Sequence, residues 1–242
     1  IDWGPFFQAW ELSGPYPAIL DDPVVGAAAR SVLAEGRAML KRVIDGRWLT
    51  ASGTVGFWPA NAVGDDIVLW TDESRATPAL TWRNLRQQNE RPPGKPHQCL
   101  ADFVAPVGTP DYVGAFAVTA GIGIERKLAE FTQAHDDYSG LMLKTIADRL
   151  AEAFAEWLHR RVRVELWGYA AGEALPNDAL IREAYRGIRP APGYPACPDH
   201  AVKAPLFALL QAPAVGITIT ENHAMRFAAA CWAWDSPSKL MK

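Results

Sequence analysis

Long apolar runs, clustered basic residues and neighbouring cysteines are all missing from this 242-residue chain. Each absence removes a class of function. No stretch approaches the ~20 apolar residues of a membrane span, and the first residues do not have the pattern of a signal peptide. Lysines and arginines form no dense cluster and the net charge is −3, so neither nucleic acid nor an anionic membrane is expected as the main partner. The three cysteines, Cys99, Cys197 and Cys231, are odd in number and far apart. They read as free thiols of a reducing, cytoplasmic compartment. The Gly-x-Ser-x-Gly elbow and the His-Glu-x-x-His zinc motif do not occur either. GIGIE, Gly121 to Glu125, has two glycines but no third to complete a dinucleotide fingerprint. Cys197 and His200 have a Cys-x-x-His spacing, but a structural zinc needs four ligands and the other cysteines have no local partner. No catalytic residue and no metal site is assigned.

The chain is 49% hydrophobic and 21% charged, close to the globular average, so a buried core is expected. It begins at Ile1 in mid-pattern and reads as a piece of a longer polypeptide. The opening segment to Asp22, aromatic and rich in proline and glycine, reads as an extended arm with turns. Helical spacing follows over 21–45, with Val24, Ala28, Val32, Met39 and Val43 as its apolar positions, Pro23 in the first turn and Asp21 or Asp22 as cap. GTVGFWPANAVGDDIVLWTDES predicts two strands around the Asn61–Asp66 turn. CLADFVAP (99–106) and DYVGAFAVTAG (111–121) are two further strand candidates. The clearest helix spans 136–162, with Leu143, Ile146, Leu150, Ala153 and Trp157 on one stripe. Asp136 or Asp137 caps it, and Arg160, Arg161 and Arg163 gather at its C-terminal end, as the helix dipole favours. A second helix covers 177 to Gly187, and VGITITENHAM (215–225) reads as a strand entering a turn. The pattern is α+β, one domain over 1–242 with mostly antiparallel strands.

RPAPGYPACPDH, Arg189 to His200, is the most unusual stretch. Pro190 and Pro192 fix their φ angles and lack N–H groups, leaving carbonyl acceptors on a stiff backbone. Gly193 allows a positive φ and leaves room for a ligand to approach. Arg189 offers a planar fork that matches a carboxylate, and Tyr194 an aromatic face. Two readings stand: a turn that receives a small zwitterion carrying an adenine, or a proline-rich structural turn with a surface arginine.

The stretch resembles the Arg-x-x-x-Gly-Tyr signature of the activation domain of cobalamin-dependent methionine synthase. IDWGPFF, GFWPANAVGDDI, LRQQ, CLADFVAP, DYVGAFAVT, HDDYSGLMLKTIADRLAEAFAEWLH and WGYA resemble the same domain in order, up to about Met225. The resemblance implies a C-shaped α+β domain with a central twisted antiparallel sheet flanked by helices, the C-terminal module of a cytoplasmic methyltransferase. It implies binding of S-adenosylmethionine (AdoMet), whose methyl group traps reduced cobalamin when an electron arrives from flavodoxin or a flavoprotein reductase. Cobalamin is then bound mainly by another module of the same polypeptide, and any zinc belongs to other modules. Carried over by position, Arg189 corresponds to the arginine on the AdoMet carboxylate and Asp2 to the aspartate on its amino group. Pro190, Gly193 and Tyr194 complete the turn, and Glu152 and Glu183 fall where the family has acidic residues near the ligand groove. By their own pattern both glutamates also read as solvated helix-surface acids, Glu152 lying one turn from Glu156.

The tail beyond about residue 226 departs from the family. No tyrosine follows Tyr194, and an aromatic contact of the kind lost there is worth about 1–2 kcal/mol. A truncated or diverged tail is expected, and with it a rival reading: a relative that keeps the fold and serves as a docking or scaffold module without AdoMet. An independent metal-dependent hydrolase is a third reading that stoichiometric zinc would support. Arg160, Arg161 and Arg163 are expected to face the acidic reductant.

Overall fold

A computed structural model describes residues 1–225 and the backbone of 228–233. The expectation about the tail falls on residues that lie largely outside that range. The described residues form two compact units, one from Ile1–Ser52 with Val118–Glu156 and one from Gly53–Ala117 with Trp157–Met225.

In the first unit the opening segment is not an extended arm. Asp2 Oδ1 accepts the Gly4 N–H at 2.9 Å and Pro5 occupies the first turn of helix α1, Gly4–Gln8. That local order lets a five-residue helix form and buries Phe6 and Phe7 completely. Helix α2, Gly26–Asp45, starts later than expected: its N-cap Val25 makes no side-chain cap bond, and the Asp22 carboxylate instead accepts the Val24 and Val25 N–H groups at 2.8 and 2.9 Å in the turn that leads into it. Met39 and Val43 are buried as expected, but the first half of the stripe is shifted by one residue: Ala29 and Leu33 are buried, whereas Val24 is 86% exposed. Gly36 belongs to the same face because a Cβ there would lie 2.5 Å from Phe6 Cζ. Ile124, Met142, Leu143, Ile146 and Ala147 complete this core. They come from helix α3, Ile124–Gln133, and from helix α4, Asp137–Arg161. Asp136 Oδ1 accepts the Ser139 N–H at 2.9 Å, as a helix cap should.

The sheet has the strand order β3-β2-β1-β4-β5, with β1 Thr50–Val63, β2 Asp66–Trp70, β3 Pro78–Trp82, β4 Asp111–Ile122 and β5 Ala228–Ala233. β1 and β2 pair antiparallel as a tight hairpin, Val63 opposite Asp66, and β2 pairs antiparallel with β3. Gly64 takes φ +62° in the connecting turn, where a glycine is favoured. The fold class is therefore the α+β class with an antiparallel sheet that the sequence predicts. Asn61, buried on β1, donates Nδ2 to the Pro106 and Thr109 carbonyls at 3.0 and 2.8 Å. Its Oδ1 accepts from Trp70 Nε1 at 3.1 Å and Arg75 Nη1 at 3.0 Å. A buried amide so fully matched ties the irregular 105–109 segment to the sheet.

Two strand expectations do not hold. CLADFVAP is a 3₁₀ turn at Leu100–Phe103. The Asp102 carboxylate accepts the Cys99 N–H at 2.9 Å and pairs with Arg86 at 2.8 Å, and that local capping competes with extension. VGITITENHAM begins at the last residue of a 3₁₀ turn, Ala212–Val215, and carries an isolated Ile219–Met225 bridge in place of a strand. Helix α5 covers only Asn177–Ile181, because Glu183 already has φ +54°. Strand β3 and helix α6, Lys203–Leu209, have no counterpart in the sequence reading.

Candidate functional site

Helix α4 does not end at solvent. It runs into a π-helical turn, Val162–Leu166, and the wider ring of a π turn rotates the next side chains relative to an α-helix. Trp157, expected in the buried stripe, is 49% exposed, and His159 and Arg163 are fully buried instead. Arg163 therefore belongs to no docking surface. A buried cation is tolerated only when paired and hydrogen-bonded, and Arg163 meets that condition. Its Nε and Nη2 donate to the Glu173 carboxylate at 2.8 and 2.7 Å, a bidentate pair with both side chains inaccessible to bulk water. Its Nη1 lies 2.6 Å from His159 Nδ1. A guanidinium has no acceptor, so Nδ1 accepts and the imidazole proton sits on Nε2. The guanidinium also lies 3.9 Å from the Tyr185 ring centroid, a cation–π contact in a desolvated place.

His159 stacks on Phe116 at 6.3 Å and meets the Tyr185 ring edge at 4.9 Å. Burial pushes its pKa down to about 2, and the charges of Arg163 and then Arg189 push the same way. The imidazole is neutral at physiological pH. Arg189, itself half-buried, is thus a second cation whose charge reaches the imidazole of this buried cluster.

After Arg189 the chain makes the proline-rich turn. Gly193 has φ +105°. Its N–H donates to the Cys197 carbonyl at 2.8 Å, and the Cys197 N–H returns a bond to the Tyr194 carbonyl, also at 2.8 Å. Tyr194 is held at the tip with 67% of its surface exposed, and Pro190 is partly exposed beside it. The space beside Gly193 is not left for a ligand, as the sequence reading had it. A Cβ there would lie 2.9 Å from His200 Nε2 and closer still to Cε1, so the protein's own imidazole fills that side. His200 Nδ1 lies 2.9 Å from Lys203 Nζ, and among the described residues no three His, Cys, Asp or Glu side chains converge on a common point.

The remaining predicted residues are not part of that turn. Asp2 and Glu152 lie in the first unit, both exposed, and the Asp2 carboxylate accepts the Gly4 N–H. Glu183 is exposed in the second unit at the end of α5. The second unit therefore joins Arg189, Pro190, Gly193 and Tyr194 into one turn.

Residues 1–235 match the family described as the activation domain of vitamin B12 dependent methionine synthase. The chain belongs to this family. A crystal structure of the MetH reactivation domain bound to AdoHcy is similar over nearly the whole length. It is 48% identical, with a TM-score of 0.91 across 98% of this chain and 74% of that one. No described helix is long and apolar enough to cross a membrane. Sequence reasoning missed the buried cluster of His159, Arg163, Glu173 and Tyr185. The i,i+4 spacing of His159 and Arg163 was visible, but a charged residue at a helix end is ordinarily read as solvated.

Proposed function

We propose that this chain binds AdoMet and supplies its methyl group for the reductive methylation of cob(II)alamin, so reactivating a cobalamin-dependent methionine synthase. What supports the reading is the AdoHcy complex of a 48% identical reactivation domain, together with a rigid turn that presents one half-buried arginine and one exposed tyrosine. AdoMet carries a carboxylate, an ammonium and an adenine. Arg189 takes the carboxylate by a charge-assisted fork and Tyr194 an apolar face of the ligand, on a turn that Gly193 and Pro190 hold. AdoMet, when bound, supplies an electrophilic methyl group, whose acceptor is the reduced cobalt of a cobalamin held on another module of the polypeptide. The leaving group is a neutral thioether, so the residues of this chain need to bind and align the donor rather than move a proton. The electron comes from flavodoxin or a flavoprotein reductase, which we place against Arg160 and Arg161. Free, buried Cys99 and Cys197 fit a cytoplasmic setting.

Calorimetric titration with AdoMet, beside an Arg189→Ala variant, tests the reading. The parent chain is expected to bind and the variant to lose about 100-fold in affinity. A folded parent chain that takes no AdoMet would leave the scaffold reading in its place.

A further inference from the structure

Lys203 is the first residue of α6 and is 5% exposed. This is an unfavourable place for a cation. The N-terminal end of a helix carries partial positive charge, and burial disfavours the ammonium, lowering the Lys203 pKa from its ordinary value. Fold stability alone gives no reason for such an arrangement, since an apolar side chain of similar length would fill the same space without either cost. Its contacts supply the reason. Nζ donates to the His223 carbonyl at 3.2 Å and lies 2.9 Å from His200 Nδ1. An ammonium has donors only, so with Lys203 charged Nδ1 is the acceptor and the ring plane of His200 is set.

That ring is the one packed on Gly193. It occupies the position a side chain would take at a residue whose φ of +105° is open only to glycine. His200 is otherwise an exposed residue on a bend, free to turn away if nothing held it. The chain of contacts runs from a buried ammonium to an imidazole, and from the imidazole to the glycine that precedes Tyr194.

We propose that His200, oriented by Lys203, is a positioning residue that presses on Gly193 and so fixes the end of the turn that carries Arg189 and Tyr194. This rests on the AdoMet reading of that turn. Neither residue touches the ligand in this scheme. They set the aim of the carboxylate fork.

The test is calorimetry on the 242-residue chain with two ligands, AdoMet and decarboxylated AdoMet, which lacks only the carboxylate. His200→Ala and Lys203→Met are each expected to weaken AdoMet about tenfold, and the double variant no more than either alone, because the two side chains act in series. Binding of decarboxylated AdoMet, which still meets Tyr194 but not the Arg189 fork, should be weakened less than that of AdoMet in both variants. His200→Asn, which keeps an acceptor near Nδ1 for Lys203 but lacks the ring atoms over Gly193, should bind AdoMet no better than His200→Ala. Thermal melts run alongside show that the variants are folded. Parent-like AdoMet binding by His200→Ala, with binding still lost in Arg189→Ala, would overturn this inference and leave the AdoMet reading standing. Equal losses for both ligands would make His200 merely structural. A parent chain that binds neither ligand would end both.

Discussion

Arg163 Nη1 donates to His159 Nδ1 across 2.6 Å, and neither side chain has any exposed surface. A histidine in that position can carry only one proton, because the acceptor nitrogen faces a permanent cation. The surroundings of Arg189 are thereby kept free of a second titrating charge.

The first expectation concerns acid stability. The folded pKa of His159, about 2, is far below the unfolded value near 6.5. Between those values the unfolded chain binds the extra proton, so stability is complete above pH 6.5 and falls as the solution is acidified. One such group accounts for about 1.4 kcal/mol per pH unit, or about 2 kcal/mol between pH 6.5 and pH 5. His159→Asn keeps an acceptor for Arg163 and does not titrate. Urea unfolding at pH 7.5 and pH 5 should show a smaller difference for the variant, and an identical pH slope would contradict this account.

Breaking the bidentate pair should be more costly than removing it. Glu173→Gln leaves the Arg163 charge buried without its counterion and is expected to cost about 3–5 kcal/mol. Arg163→Met combined with Glu173→Leu should cost less than Glu173→Gln alone. Chemical denaturation of the three proteins decides, and a double variant as unstable as the single one would sink the argument.

Gly36 gives a case where two effects compete. Alanine in a helix interior is favoured over glycine by about 0.5–1 kcal/mol. Against this, its Cβ would strike the Phe6 ring, and overpacking typically costs about 1–3 kcal/mol. The clash wins, so Gly36→Ala should lower the melting temperature. Adding Phe6→Leu, which withdraws the ring, should restore part of the loss, and a further drop would point elsewhere.

Arg161 lies over the exposed Trp157 ring at 5.1 Å and pairs with Glu165 at 2.7 Å, while Arg160 is partly exposed beside it. Reversing both charges to glutamate should weaken flavodoxin binding and flatten its salt dependence. Unchanged affinity in low salt would remove this surface from the docking site.

Helix α4 and the β1–β2 hairpin were legible because their signals are local: an aspartate cap, a 3.6-residue period, a glycine in a four-residue turn. CLADFVAP misled because its apolar run suits a strand, while the deciding contact, Asp102 with Arg86 sixteen residues away, is not a property of the run. The site divided in the same way. Arg189, Gly193 and Tyr194 stand together in the sequence and in one turn. His159, Glu173 and Lys203 were missed because each is polar and ordinarily read as surface. Only tertiary pairing makes their burial tolerable.

Cys197 supplies one of the two backbone carbonyls that close the turn, and its thiol is buried and raised to about 12. Thiolate is scarce at neutral pH, and the sulfur meets reagent only when the turn opens. The residue is therefore a built-in clock. Its alkylation rate, read peptide by peptide to separate it from Cys99, counts how often the turn lets go, and a ligand that grips Arg189 should slow the count.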